Sequence, residues 1–119
     1  MKITFIKPNM GLVYGKPYLD RGRMEPLTFA VLKGMTPPEH ECVLYDDRYE
    51  AIPFDDNTDL VAINTEIYTA RRAYEIADQF RARGVQVVLG GYHTTMIPEE
   101  GAEHADSVVI GDAEPVWHR

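Results

Sequence analysis

Apolar and polar positions along the chain switch repeatedly between the period of a strand and that of a helix. "KITFIK" (Lys2–Lys7) is rich in β-branched and aromatic residues and predicts a strand. "EPLTFAVLKG" sets Leu27, Ala30, Val31 and Gly34 at helical spacing, with Pro26 suited to the first turn and the glycine to the end. "CVLYD" predicts a second strand. "DLVAINT" predicts a third, whose apolar centre implies cover on both faces. "TARRAYEIADQFRARG" is the clearest helix, with Thr69 as its cap and Gly84 as its close. Its apolar face is Ala70, Ala73, Tyr74, Ala77 and Phe80. "VQVVLG" predicts a fourth strand and "DSVVIG" a fifth. Between them "PEEGAEHA" predicts a short helix, with Pro98 in its first turn and Glu99 and Glu100 near its positive end. "AEPVWHR" opens a last helix that stops after about two turns of sequence.

The resulting order is β-α-β-loop-β-α-β-α-β-α. Such alternation predicts an α/β fold: a doubly wound, five-stranded parallel sheet between helices, in three layers. The 119 residues are expected to make one domain, 1–119, and the interrupted last helix leads to the expectation that it is a piece of a longer protein. A helix cut short leaves apolar surface, which a following domain or a second copy would cover.

Charge and cysteine content narrow the function. The chain carries 12 basic and 19 acidic residues, a formal charge of -7, which argues against a nucleic-acid or anionic-membrane surface. No apolar run approaches the roughly 20 residues of a membrane span. The N-terminus passes directly into a strand, with no signal peptide. One cysteine, Cys42, excludes an intrachain disulfide and cannot alone hold zinc or an iron–sulfur cluster. It reads as a buried, inert thiol in a reduced, cytoplasmic setting.

In open parallel sheets, ligands bind beyond the carboxyl ends of the strands. Four loops lie there: 8–24 after the first strand, "NTEIYT" after the third, "GGYHTT" after the fourth and "GDAEP" after the fifth. Glycine has no Cβ, so Gly90 and Gly91 predict a floor on which a flat ligand meets the backbone, with Tyr92, His93, Thr94 and Thr95 offering hydrogen bonds around its rim. The competing reading is a simple tight turn. Loop 8–24 is long and locally basic, with Lys16, Arg21 and Arg23; it is either a steering surface for phosphate or carboxylate, or a solvated loop.

Familiar cofactor motifs are missing. A dinucleotide fold needs G-x-G-x-x-G after the first strand, where this chain has Lys7, Pro8, Asn9, Met10 and Gly11. "GLVYGKP" is one residue short of a phosphate loop and has proline after the lysine. The acidic pair Asp46 and Asp47 follows the second strand, not the first and third as in a phosphoacceptor domain, and reads as a strand-end cap. His40, His93, His104 and His118 are scattered and supply no metal motif, so His93 reads as a hydrogen-bonding residue.

Taken together, "MKITFIKPNMG", the run from Asp59 to Glu114 with its strand–GG–x–H–x–T segment, and "VIGDAE" resemble the N-terminal cobalamin-binding domain of class B radical S-adenosylmethionine enzymes. That group includes anaerobic magnesium-protoporphyrin IX monomethyl ester cyclase-like proteins and hopanoid methylases. The resemblance implies a flavodoxin-like sheet holding cobalamin over the strand ends. It implies contacts at Pro8, Asn9 and Met10, at Thr65 and Glu66, at Gly90, Gly91, Tyr92 and His93, and at Gly111 and Glu114. Cobalamin domains that supply a lower axial histidine carry D-x-H-x-x-G after the first strand, and this chain does not, so base-off cobalamin is expected. It also implies a radical domain after Arg119, which would bring S-adenosylmethionine and a [4Fe-4S] cluster for methyl transfer or oxidative cyclisation; no C-x-x-x-C-x-x-C triad lies within the chain. The module would bind and orient its cofactor without catalysing alone. The alternative is a flavodoxin-like regulatory or protein-interaction domain without a cofactor. A small flavin or nucleotide carrier is disfavoured by the first loop.

Overall fold

A computed structural model describes residues 1–9, 12–13, 16–17, 27–47, 49–55, 57–111, 113 and 115–117. Its sheet includes the strand β1 (Lys2–Lys7), which pairs in parallel with β4 (Glu41–Asp46) on one side and β5 (Leu60–Asn64) on the other. Beyond β5 come β6 (Gln86–Gly90) and β7 (Ser107–Val108), also parallel, giving the order β4-β1-β5-β6-β7. This is the flavodoxin-like arrangement. The crossing direction reverses between β1 and β5, so the carboxyl ends there and beyond form an open edge.

Period-two alternation divides the core between the two faces. Val61, Ile63, Val87 and Leu89 face helix α2 (Ala70–Ala82), which buries Ala70, Ala73, Tyr74, Ile76, Ala77 and Phe80 against them. Ile3, Phe5 and Ala62 face helix α1 (Leu27–Met35), and Val88 packs partly against the same cluster. Gly84, at φ 81°, closes α2 in the left-handed region, as the sequence predicts. Thr69 starts α2 but makes no capping bond to it; its hydroxyl accepts from the Glu66 N–H at 2.9 Å. That bond closes a short 3-10 turn, Ile67–Thr69, directly before the helix.

Several elements differ from expectation. The buried residues of α1 are Phe29 and Leu32, whereas Ala30, Val31 and Gly34 are exposed, and the helix runs one residue beyond Gly34. Phe29 wins because its ring packs on Phe5, with centroids 5.2 Å apart. Pro26 lies outside the described residues. Loop 8–24 contains a small antiparallel pair, β2 (Leu12–Val13) with β3 (Lys16–Pro17). The last strand is two residues long, against six expected. The segment expected as a last helix is a turn over its described residues, closed by Val116 N–H to the Ala113 carbonyl at 3.0 Å. Cys42 is only half-buried, because β4 is an edge strand.

Asp47 belongs to the framework. Its carboxylate accepts two bonds from the Arg72 guanidinium, at 2.8 and 3.1 Å, and one from the Asn9 N–H at 3.1 Å. Asp47 therefore ties the ends of β1 and β4 to α2. The carboxylate raises the Arg72 pKa further, chiefly through the hydrogen bond. No group of three or more metal-ligating side chains occurs among the described residues.

Candidate cofactor-binding cleft

A cleft of about 380 Å³ opens at the carboxyl ends of β5 and β6, on the α1 face of the sheet. Its position follows from side-chain alternation. Ala62 and Asn64 on β5, and Val88 and Gly90 on β6, share that face, and all four line the cleft. Phe29 and Leu32 of α1 form one wall. Ala113 and Trp117 form another, held because the Trp117 indole N–H donates to the Thr36 hydroxyl at 2.9 Å and its ring lies 5.7 Å from Phe5. The volume falls within the range of small-molecule sites, and the apolar lining with a few polar groups is typical of them.

The two glycines have different reasons to be glycine. Gly91 has φ 102° and ψ -178°, a region open essentially to glycine alone. A Cβ there would overlap Asn64 Oδ1 and the Thr65 carbonyl oxygen and lie 2.9 Å from the Thr65 nitrogen. The protein's own backbone fills the space that Gly91 leaves. Among the described residues, a Cβ at Gly90 would meet only the Val109 Cβ, at an ordinary 3.7 Å. Packing of the described residues does not require glycine at 90, yet the residue forms the cleft floor. The floor expected of the pair thus rests on Gly90.

The loop after β6 is fastened from behind. The Thr65 N–H and hydroxyl both donate to the Gly90 carbonyl at 2.7 Å, and the Thr65 and Thr94 hydroxyls are bonded to each other. The His93 N–H reaches the Thr65 carbonyl at 3.2 Å. Both threonines are fully buried. These bonds fold Tyr92–Met96 into a short helix, α3, and a second short helix, α4 (Pro98–Ala102), follows as expected from Pro98. Gly111 is brought to the rim because its N–H donates to the Thr95 hydroxyl at 2.9 Å.

The residues singled out from the sequence therefore divide. Glu66, Gly90, Gly91, Tyr92 and Gly111 line the cleft. Thr65 lies behind it. His93 is turned to the opposite side, where its Nε2 meets Glu100 Oε1 at 2.9 Å and its ring lies 6.2 Å from Tyr74. That pairing is the hydrogen-bonding role expected of it, and it holds the Glu100 carboxyl below the usual carboxylate range. Burial pushes the Tyr74 hydroxyl far above the ordinary phenol range; the Glu100 carboxylate adds to this, although the two make no hydrogen bond of good geometry. Pro8 is fully buried and Asn9 is tied to Asp47, and neither lines the cleft. Met10 and Glu114 lie outside the described residues. Thr95 lines the cleft, as expected of the rim, whereas Thr94 is buried behind it. Asn64, Trp117 and the α1 wall were not singled out, although the carboxyl-end position of Asn64 on its strand was a usable signal.

No protein-family model and no solved structure matches the chain. Two curated proteins of Chlorobaculum tepidum do. The chain is 44% identical over 102 residues to a bacteriochlorophyllide d C-8(2)-methyltransferase, a match covering 82% of the chain and 23% of that protein. It is 34% identical over 102 residues to a bacteriochlorophyllide d C-12(1)-methyltransferase, covering 83% of the chain and 22% of that protein. The chain thus spans less than a quarter of the length of these relatives. Over most of its own length, it is homologous to part of the bacteriochlorophyllide d methyltransferases.

Proposed function

We propose that this chain is the cobalamin-binding module of a radical S-adenosylmethionine methyltransferase acting on a tetrapyrrole. The observation that carries the reading is the cleft floored by Gly90, at the sheet edge where such folds bind ligands, in a chain whose glycine is not demanded by its own packing. Both matched relatives are named as methyltransferases of bacteriochlorophyllide, which favours methyl transfer over ring closure.

The residues present fit such a group. Gly90 lets a flat ligand approach the backbone. Phe29, Leu32, Val88 and Trp117 offer apolar walls, and Asn64, Glu66 and Thr95 offer polar atoms. Cobalamin is larger than the cleft, so the cleft takes one part of it and the rest lies over the strand ends. No histidine lines the cleft among the described residues, so the base-off form is proposed. When bound, cobalamin would supply the methyl-carrying cobalt; the chain's own work is to bind it, orient it and shield one side from water. The rim supports a covered site. Ile67, Tyr92, Met96 and Ile110, on the loops after β5, β6 and β7, are 70%, 78%, 71% and 62% exposed. Such apolar surface suits burial beneath cofactor and a further domain. The S-adenosylmethionine and [4Fe-4S] chemistry belongs to that further domain.

The test is retention of hydroxocobalamin by the chain through gel filtration, compared with Gly90→Val. The wild type is expected to retain the cofactor and the variant to lose it while keeping its melting temperature. Equal retention by both would remove Gly90 from the floor. No retention by the chain or the full-length protein would leave a cofactor-free interaction domain.

A further inference from the structure

Resting on that reading, the geometry points to a cleft that selects a neutral, carboxamide-bearing part of the ligand, with Asn64 as the residue that recognises it and Glu66 as the residue that rejects anions. Two observations carry this. First, the cleft lining holds a single charged side chain among the described residues, the Glu66 carboxylate, and no lysine, arginine or histidine to balance it. A phosphate or carboxylate entering there would meet a like charge with no cation beside it among the described residues, at a site partly withdrawn from water. Second, the Asn64 side chain lines the cleft at the end of β5, is half-buried and makes no hydrogen bond to another described residue. The Thr95 hydroxyl, by contrast, already accepts from Gly111, and the Trp117 indole N–H already donates to Thr36.

A half-buried amide with free donors and a free acceptor calls for a partner that offers both. A carboxamide does so: it can pair with Asn64 in a two-bond ring, and its remaining N–H can reach the Glu66 carboxylate. The corrin periphery of cobalamin carries carboxamides of this kind. The charged phosphate of a flavin or nucleotide does not meet the requirement.

The experiment measures dissociation constants of the chain for three probes: hydroxocobalamin, the cobalamin monocarboxylic acids in which one peripheral carboxamide is hydrolysed, and flavin mononucleotide. For the wild type, at least one monocarboxylic acid is expected to bind about tenfold or more weakly than cobalamin, and flavin mononucleotide not at all. Glu66→Gln is expected to restore affinity for that acid, a rescue that a merely structural role would not give. Asn64→Ala is expected to weaken cobalamin binding about tenfold with an unchanged melting temperature. If the wild type retains cobalamin but Asn64→Ala binds it equally well, or no acid is discriminated against, or flavin mononucleotide binds, the inference is overturned and the cobalamin reading stands. If neither the chain nor the full-length protein binds cobalamin, both fall together.

Discussion

The sharpest contrast concerns Gly90 and Gly91, adjacent residues of one type with different jobs. Replacing Gly91 with alanine forces a Cβ into a glycine-only backbone region, which costs about 1–3 kcal/mol. It also drives that atom into Asn64 Oδ1 and the Thr65 backbone, and backbone at the end of a central strand cannot step aside cheaply. Overpacking of this kind costs a further 1–3 kcal/mol or so. The expected loss is therefore about 2–6 kcal/mol, a large part of the roughly 5–15 kcal/mol that holds an ordinary domain together. At this chain length, the melting temperature should fall by roughly 8 °C or more. Gly90→Ala places its Cβ at an ordinary 3.7 Å from Val109 and should change stability by less than about 1 kcal/mol. Urea unfolding followed by circular dichroism measures both, and the Trp117 fluorescence gives an independent probe. If Gly91→Ala unfolds at the wild-type urea concentration, or the two variants lose stability equally, the assignment of Gly91 to packing and Gly90 to the floor is wrong.

Other outcomes follow from the same geometry. Arg72→Met leaves the Asp47 carboxylate, 5% exposed, without its guanidinium, and should cost about 2 kcal/mol in urea unfolding; an unchanged midpoint would show that the pair does not tie β1 and β4 to α2. Glu100 is held below the ordinary carboxylate value of 4.5, first by the His93 bond, so the stability it contributes is present above that value and lost as the pH falls through the lowered one. Glu100→Gln should accordingly flatten the acid limb of a stability-against-pH curve, and an acid limb of unchanged slope would contradict the pairing. Thr94→Val removes a fully buried hydroxyl partner of Thr65 and should cost about 1–3 kcal/mol, read by thermal melting; Thr94→Ser should recover most of that loss.

Much of the architecture was legible because strands covered on both faces leave strong signals. "DLVAINT" and "VQVVLG" are too apolar for an exposed sheet, and their alternation with helices leaves a parallel sheet as the natural solution. The packed face of α1 was not legible. "LTFAVLKGM" is apolar around most of its circumference, so spacing could not choose between Val31 and Leu32; the ring of Phe5 across the sheet made the choice. Helix α3 was also hidden. "YHTTM" has two β-branched threonines and weak intrinsic helix preference, and its turn is set by bonds to Thr65, which lies 29 residues from Thr94 along the chain. In the site, the strand-end glycines announced the floor, whereas the walls come from α1 and the segment around Trp117. Those meet the strand ends only once the sheet has formed, and no local pattern could declare it.

Cobalamin binding is decided by the visible spectrum of the protein peak after hydroxocobalamin titration and gel filtration, run in parallel on the chain and on the full-length protein. Cobalamin is expected to co-elute with both, in the base-off form. A protein peak without cobalamin in both would contradict it. A peak that carries cobalamin only in the isolated chain would contradict it as well, because the cleft between α1 and Trp117 would then be filled by the protein itself.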